Sequence, residues 1–162
     1  MNIKETLSAI ENSECYALWQ KENPDSYLAS IFSMFEKIEE ANWSANYYNP
    51  ADKTITSFTT EEIEPKKEAF TKEEDIPELN LKDCLLKEDE TFAQVQKIAK
   101  EKHNADSAQK YVFLLQRLGN ITVWNATLIL PTLKIVNIKI SAKSGELVES
   151  SETSMSDFIQ QS

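Results

Sequence analysis

Glycine is nearly missing from this chain: Gly119 and Gly145 are the two in 162 residues. Loops that cradle phosphate need glycine for close backbone approach, and neither a GxGxxG nor a P-loop pattern is present, which excludes those nucleotide-binding folds. Histidine occurs once, at His103, and a His-based triad or proton shuttle would need a partner to orient it. The residue sits at the expected end of a helix, where a surface or capping role suits it. The two cysteines, Cys15 and Cys84, lack CxxC spacing, and neither a redox motif nor a zinc site is suggested. Both read as small buried apolar residues, with a single disulfide as the alternative.

Positive charge is also scarce. Lys and Arg number 17 against 27 Asp and Glu, a net charge of -10 with a sequence pI near 4.7. Such a surface repels nucleic acid phosphates and anionic lipid, which argues against DNA, RNA or membrane partners. No apolar run reaches the 18 residues of a membrane span, and the first residues enter a helical pattern without a long apolar core. A soluble cytoplasmic protein is the expectation, or an extracytoplasmic one if a leader has been removed.

Aromatic residues are well supplied, with three Trp, five Tyr and seven Phe, and 41% of the chain is hydrophobic. A folded core is expected rather than wholesale disorder. Part of the chain also repeats. Lys21, Asn23, Asp25, Ser26, Phe32, Trp43, Ala45, Pro50 and Lys53 recur at an offset of 81 as Lys102, Asn104, Asp106, Ser107, Phe113, Trp124, Ala126, Pro131 and Lys134. Average residue usage predicts roughly two such identities by chance in a window of this length. The pattern reads as a tandem duplication in which each copy is one unit with an apolar face to bury.

Residues 3–22 carry a helical stripe with one break at Asn12-Ser13, and Asn23-Pro24-Asp25-Ser26 stops it. Tyr27–Phe35 is rich in aromatic and β-branched residues with apolar side chains on both faces. It suggests a strand covered on one face and partly shielded on the other, with helix as the alternative. Trp43–Tyr48 and Thr54–Thr60 flank the turn cluster Asn49–Lys53, a hairpin. After a short apolar stretch at Leu81–Leu86, a helix is predicted over Asp89–Lys102 with acids in its first turn and bases in its last. Strands follow at 110–118, 121–130, 135–140 and 146–150, the first pair joined by Gly119-Asn120. The fold class is α+β: two repeated units, each a helix against an antiparallel sheet.

Between the copies, Glu61–Glu78 holds eight acids against three lysines, with Pro65 and Pro77. It reads as a solvated connector without a regular core-facing element. The organisation expected is a first repeat over 1–60, an acidic linker over 61–79, a second repeat over 80–151 and a polar tail over 152–162 with a weak helical turn at Met155, Phe158 and Ile159. Paired acids such as Glu39-Glu40 are adjacent in sequence and project in different directions, so they do not form a glycosidase-type pair.

Trp124 and the stretch Ile138–Val148, IKISAKSGELV, carry a family likeness. The chain resembles the PepSY (peptidase propeptide and YPEB) domain family, whose pattern is a Trp opening one strand and a later strand ending in a hydrophobic-Asp-Ala-x-Thr-Gly-x-Val turn. Ile140, Ala142, Gly145 and Leu147 or Val148 match, while Ser141 and Ser144 stand where Asp and Thr are usual. The first copy keeps Trp43 but lacks the Ala-x-x-Gly turn. The resemblance implies a cystatin-like helix-on-sheet fold with no catalytic residues, cofactor or metal. It also implies a role in binding another protein, as an inhibitor or chaperone. A small-ligand carrier using a concave sheet and a structural or homodimeric module are the alternatives. Trp43 and Trp124 are the candidate binding residues, as anchors on an open sheet face; the competing reading makes both core anchors under the helices.

Overall fold

Two capped helices open the chain. Asn2 and Glu5 form a reciprocal capping box, Asn2 Oδ1 accepting from Glu5 N at 2.8 Å and Glu5 Oε2 from Asn2 N at 3.1 Å. They start α1, Ile3–Glu11. Ser13 Oγ accepts from Tyr16 N and starts α2, Glu14–Glu22, so the expected break at Asn12-Ser13 is two separate helices. In this computed structural model, which describes residues 2–61, 66–69 and 74–154, the other long helix is α3, Glu88–His103. It ends where Asn104 takes a left-handed conformation at φ 51°.

The strands are β1 Tyr27–Phe35, β2 Ser44–Asn49, β3 Thr54–Phe58, β4 Lys66–Ala69, β5 Lys110–Leu118, β6 Ile121–Ile129, β7 Lys134–Ser141 and β8 Leu147–Ser154. All pair antiparallel in one eight-stranded sheet of order β4-β3-β2-β1-β5-β6-β7-β8. The expected strand over Tyr27–Phe35 is present, and it holds the centre: β1 pairs with β5, so the strand order reads the same outward in both directions from that seam. The architecture is α+β. One core runs the length of the sheet, under α1 and α2 on one side of the seam and α3 on the other.

The acidic run does not behave as a plain connector. Lys66–Ala69 adds a fourth strand to the edge of β3. Beyond it, Tyr48 Oη bonds to Asp75 Oδ1 at 2.9 Å, the Tyr27 hydroxyl donates to the Ile76 carbonyl, and Leu79 N donates to Leu28 O at 2.8 Å. Leu79 is buried in the core. Net charge predicts solvation of side chains. It does not prevent the backbone from completing a ladder at a sheet edge, where charged residues discourage further pairing. Residues 62–65, 70–73 and the predicted tail turn at 155–162 lie outside the described residues.

Strand register also corrects the gapless alignment. Ala45 pairs with Ile31, whereas its aligned counterpart Ala126 pairs with Phe113. Ile31 therefore occupies the place of Phe113, and Phe32 faces the opposite side of the sheet. The β1–β2 connection, which includes a single 3-10 turn at Ile38–Glu40, is one residue longer than the turn at Gly119-Asn120 requires. A second slip occurs between β2–β3 and β6–β7. Lys53 and Leu133, both at positive φ (57° and 64°), end those two turns, and the second turn is one residue shorter. Period 2 makes each one-residue slip change the face a side chain meets.

Candidate functional site

Alternation along the strands divides the sheet into two unlike faces. On the helix side, Ile31, Phe35, Trp43, Ala45, Tyr47 and Phe58 meet Tyr111, Phe113, Leu115, Trp124, Ala126, Leu128 and Ile138, all buried. Trp43 and Trp124 lie on this side, each two residues before the paired alanines. Their rings touch, with centroids 5.6 Å apart and planes at 60°. At 2% and 0% exposure neither is available to anchor a ligand on an open face. They are the large core anchors of the competing reading, one from each side of the seam.

The other face carries no helix. By register it presents Ser30, Phe32 and Met34 from β1, Ser44 and Asn46 from β2, Val112, Leu114 and Gln116 from β5, Asn125, Thr127 and Ile129 from β6, and Ile135, Asn137 and Lys139 from β7. Most of these are half-buried by their neighbours, and Met34 is 52% exposed. In a chain of net charge -10, the charged side chains aligned with these five strands are Lys110 and Lys139, with Glu36 beside Lys110 just past the end of β1. Lys139 is paired to Glu149 of β8 at 3.2 Å.

Polar groups on this face satisfy one another. Asn46 Nδ2 donates to Ser30 Oγ at 3.0 Å, and Ser57 Oγ donates to Asn46 Oδ1 at 2.6 Å. Across the seam, Asn137 Nδ2 donates to Asn125 Oδ1 at 2.7 Å and to Thr127 Oγ1 at 3.1 Å. Ser44, Asn46 and Ser57 hold the places that Asn125, Thr127 and Asn137 hold on the other side. Between the two polar clusters runs an apolar stripe of Phe32, Met34, Val112 and Leu114. Amides with their hydrogen bonds already made lose little when water is removed, so the whole face is suited to being covered.

The sequence did not single out this stripe, because only the tertiary pairing of β1 with β5 brings its two halves together. A signal was present: Tyr27–Phe35 is apolar on both faces. Elsewhere, His103 is largely buried, with its side chain 9% exposed, between the end of α3 and β8. Its Nδ1 lies 3.4 Å from Glu152 Oε2; of the surface or capping role expected of it, the surface part does not hold, while the residue does stand in the last turn of α3. Cys15 and Cys84 are both free thiols, and burial pushes Cys84 up to about 11, which keeps it protonated and a poor nucleophile at neutral pH. Among the described residues no three His, Cys, Asp or Glu side chains gather as a metal site, and no helix is long and apolar enough to cross a membrane.

No protein-family model matches the chain, and a search of curated proteins finds no match. Among solved structures it is similar to the crystal structure of a candidate lipoprotein from Clostridium difficile 630, with a TM-score of 0.54 and 14% sequence identity. The likeness covers 85% of this chain and 89% of that one. At this identity it shows a shared fold.

Proposed function

We propose that this chain is a non-enzymatic binding protein that engages a protein partner through the uncovered sheet face. The observation that carries the reading is the face itself, an apolar stripe between self-satisfied polar clusters, almost free of charge on a strongly acidic molecule. Five strands of six to nine residues span roughly 650 Å², somewhat below the ~800 Å² that each partner contributes to a standard protein interface. Depletion of charge at the centre of a patch is the compositional mark of an interface core.

The reading includes a tandem origin in two PepSY-like units. Strand order that mirrors about the β1–β5 seam supports it, as do the contacting Trp43 and Trp124 and the positive-φ residues ending both turns. A cytoplasmic location belongs to the same proposal, with an extracytoplasmic one as its rival given the fold neighbour's description; fractionation of tagged full-length protein decides between them.

The test is affinity capture with the wild type beside Phe32→Asp and Leu114→Asp, which place a carboxylate in the stripe. Loss of a captured partner with an unchanged melting temperature is expected. Capture that survives both changes overturns the use of this face. A wild type that sediments as a dimer, and as a monomer when so altered, makes the occupant a second copy instead.

A further inference from the structure

Strand register makes three positions of the second half equivalent to three of the first. Tyr48 pairs with Tyr27 of β1 and Ile55 of β3, and Ile129 pairs with Lys110 of β5 and Ile135 of β7. Tyr48 and Ile129 each lie three residues past the equivalent Ala45 and Ala126, so alternation sends both to the helix-free face. Because β1 and β5 run antiparallel, the two trios occupy diagonally opposite corners of that face.

The first corner is covered by the chain itself. Tyr48 Oη donates to Asp75 Oδ1 at 2.9 Å, the Tyr27 hydroxyl donates to the Ile76 carbonyl, and the two tyrosine rings meet edge to face with centroids 5.8 Å apart. Leu79 then turns over the end of the sheet, its N–H on Leu28 O and its side chain in the helix-side core. Tyr48 is 0% exposed as a result, on a face where no helix lies. An extended acidic segment with a branched apolar residue is therefore an occupant that this face already accepts.

The second corner has no such cover among the described residues. Ile129 and Ile135 are half-buried and Lys110 is exposed, and an open hollow of about 470 Å³ is bordered by Glu36, Gln109, Lys110 and Ile129. Lys110 stands where Tyr27 stands on the other side, so an ammonium replaces the hydroxyl as the donor. The Ile129–Ile135 pair takes the place of Tyr48 and Ile55 as the apolar floor. Glu36 borders the same hollow, so a carboxylate bound by Lys110 has one acid beside it.

Given the reading of this face as the docking surface, on which the inference rests, we propose that the partner seats at this corner an extended segment in which an acidic residue precedes a branched apolar one. The apolar side chain packs on Ile129 and Ile135, and the carboxylate pairs with Lys110. The partner thereby repeats on the second half what Asp75 and Ile76 do on the first. A charge-assisted contact at the rim of an interface fixes register and selects the partner.

The probe is the acetylated, amidated hexapeptide Glu-Asp-Ile-Pro-Glu-Leu, the sequence of residues 74–79, titrated by calorimetry into the full chain. Binding with a Kd below about 1 mM is expected. Lys110→Glu should weaken it about threefold to tenfold and Glu36→Gln should strengthen it about twofold, the scale of exposed charge pairs. Both residues are exposed, so circular dichroism should be unchanged by either substitution. The basic peptide Lys-Lys-Ile-Pro-Lys-Leu should not bind. Absence of binding at millimolar peptide, equal binding of the basic peptide, or affinity that Lys110→Glu leaves unaltered would each overturn the inference. Binding lost on Tyr48→Phe and kept on Lys110→Glu would put the peptide at the first corner, which overturns it as well. Each of these results leaves the docking reading standing while capture still depends on Phe32 and Leu114. Capture that survives Phe32→Asp and Leu114→Asp defeats that reading whatever the peptide does.

Discussion

The two sides of the β1–β5 seam share a strand order and differ in what fills them. Under α2 the first half packs rings: Tyr16, Trp19, Tyr47 and Phe58 form a cluster with centroids 5.1 to 5.7 Å apart. Its tyrosines reach polar partners at the margins, Tyr47 toward Glu11 and Tyr48 toward Asp75. Under α3 the second half packs rings of its own, Phe92, Tyr111, Phe113 and Trp124, together with an aliphatic set, Leu115, Leu128, Val136, Ile138 and Ile140, buried against Val95, Ile98 and Ala99. Both sides use ring contacts, and the second adds a block of branched aliphatic side chains on β6 and β7 where the first has Tyr47 and Phe58 on β2 and β3. The first half should therefore respond to pH and to the loss of single hydroxyls, and the second to the loss of volume.

The largest effect should come from the joint between them. Trp124→Ala should cost about 3–5 kcal/mol in urea unfolding, and Trp43→Ala a similar amount. Because the rings touch, the double variant should fall short of the sum by about 0.5–3 kcal/mol. Strict additivity would mean that each tryptophan serves its own half and that the seam carries no shared core.

Next in size is Ile138→Ala, at about 2–5 kcal/mol, with Ile138→Val at about 0.5–1.5 kcal/mol. Tyr16→Phe, which keeps the ring, should be milder than Ile138→Ala. The reverse ranking in the same unfolding assay would show that the second half does not depend on the branched aliphatic block of β6 and β7.

The halves should also separate in alkali. Desolvation, with the Asp75 hydrogen bond second, pushes Tyr48 up to about 12, and desolvation raises Tyr47 further. A tyrosine whose folded pKa exceeds its unfolded value of about 10 contributes stability that is complete below pH 10 and is lost as pH rises from there toward 12. Tyr47→Phe should move alkaline unfolding to higher pH, and the loss of near-ultraviolet signal should begin in the first half. Alkaline unfolding that Tyr47→Phe leaves in place would show that this ionisation does not drive it.

The smallest effect concerns the matched turns. Leu133 and Lys53 sit in the left-handed region, which costs a side-chain-bearing residue roughly 1–2 kcal/mol. Glycine relieves that cost but loses about 0.4–1 kcal/mol through the unfolded chain. Leu133→Gly should raise stability by about 1 kcal/mol or less, read as a small increase in melting temperature, and Lys53→Gly should do the same.

Most elements were legible residue by residue. The break at Asn12-Ser13, the strand at Tyr27–Phe35 and the helix after Lys87 follow from capping chemistry and side-chain period, which act over one or two turns of chain. Gly119 and Gly145 take φ of 61° and 79°, as tight turns after β5 and β7 require. The acidic run was misjudged because its side chains describe solvation, while β4 is held by backbone bonds to β3 that no side chain announces.

What the amino-acid order settled alone was the α+β class, since propensity and capping are local to the chain. Tertiary structure decided the rest. Pairing β1 with β5 joined the halves into one sheet and drew Trp43 and Trp124 together in its interior. It set Phe32 apart from Phe113, because a one-residue change in a connection reverses the face a strand residue meets. The same pairing laid Phe32 and Met34 beside Val112 and Leu114 on the uncovered side. Those residues lie some eighty positions apart in the chain, and no local rule links them.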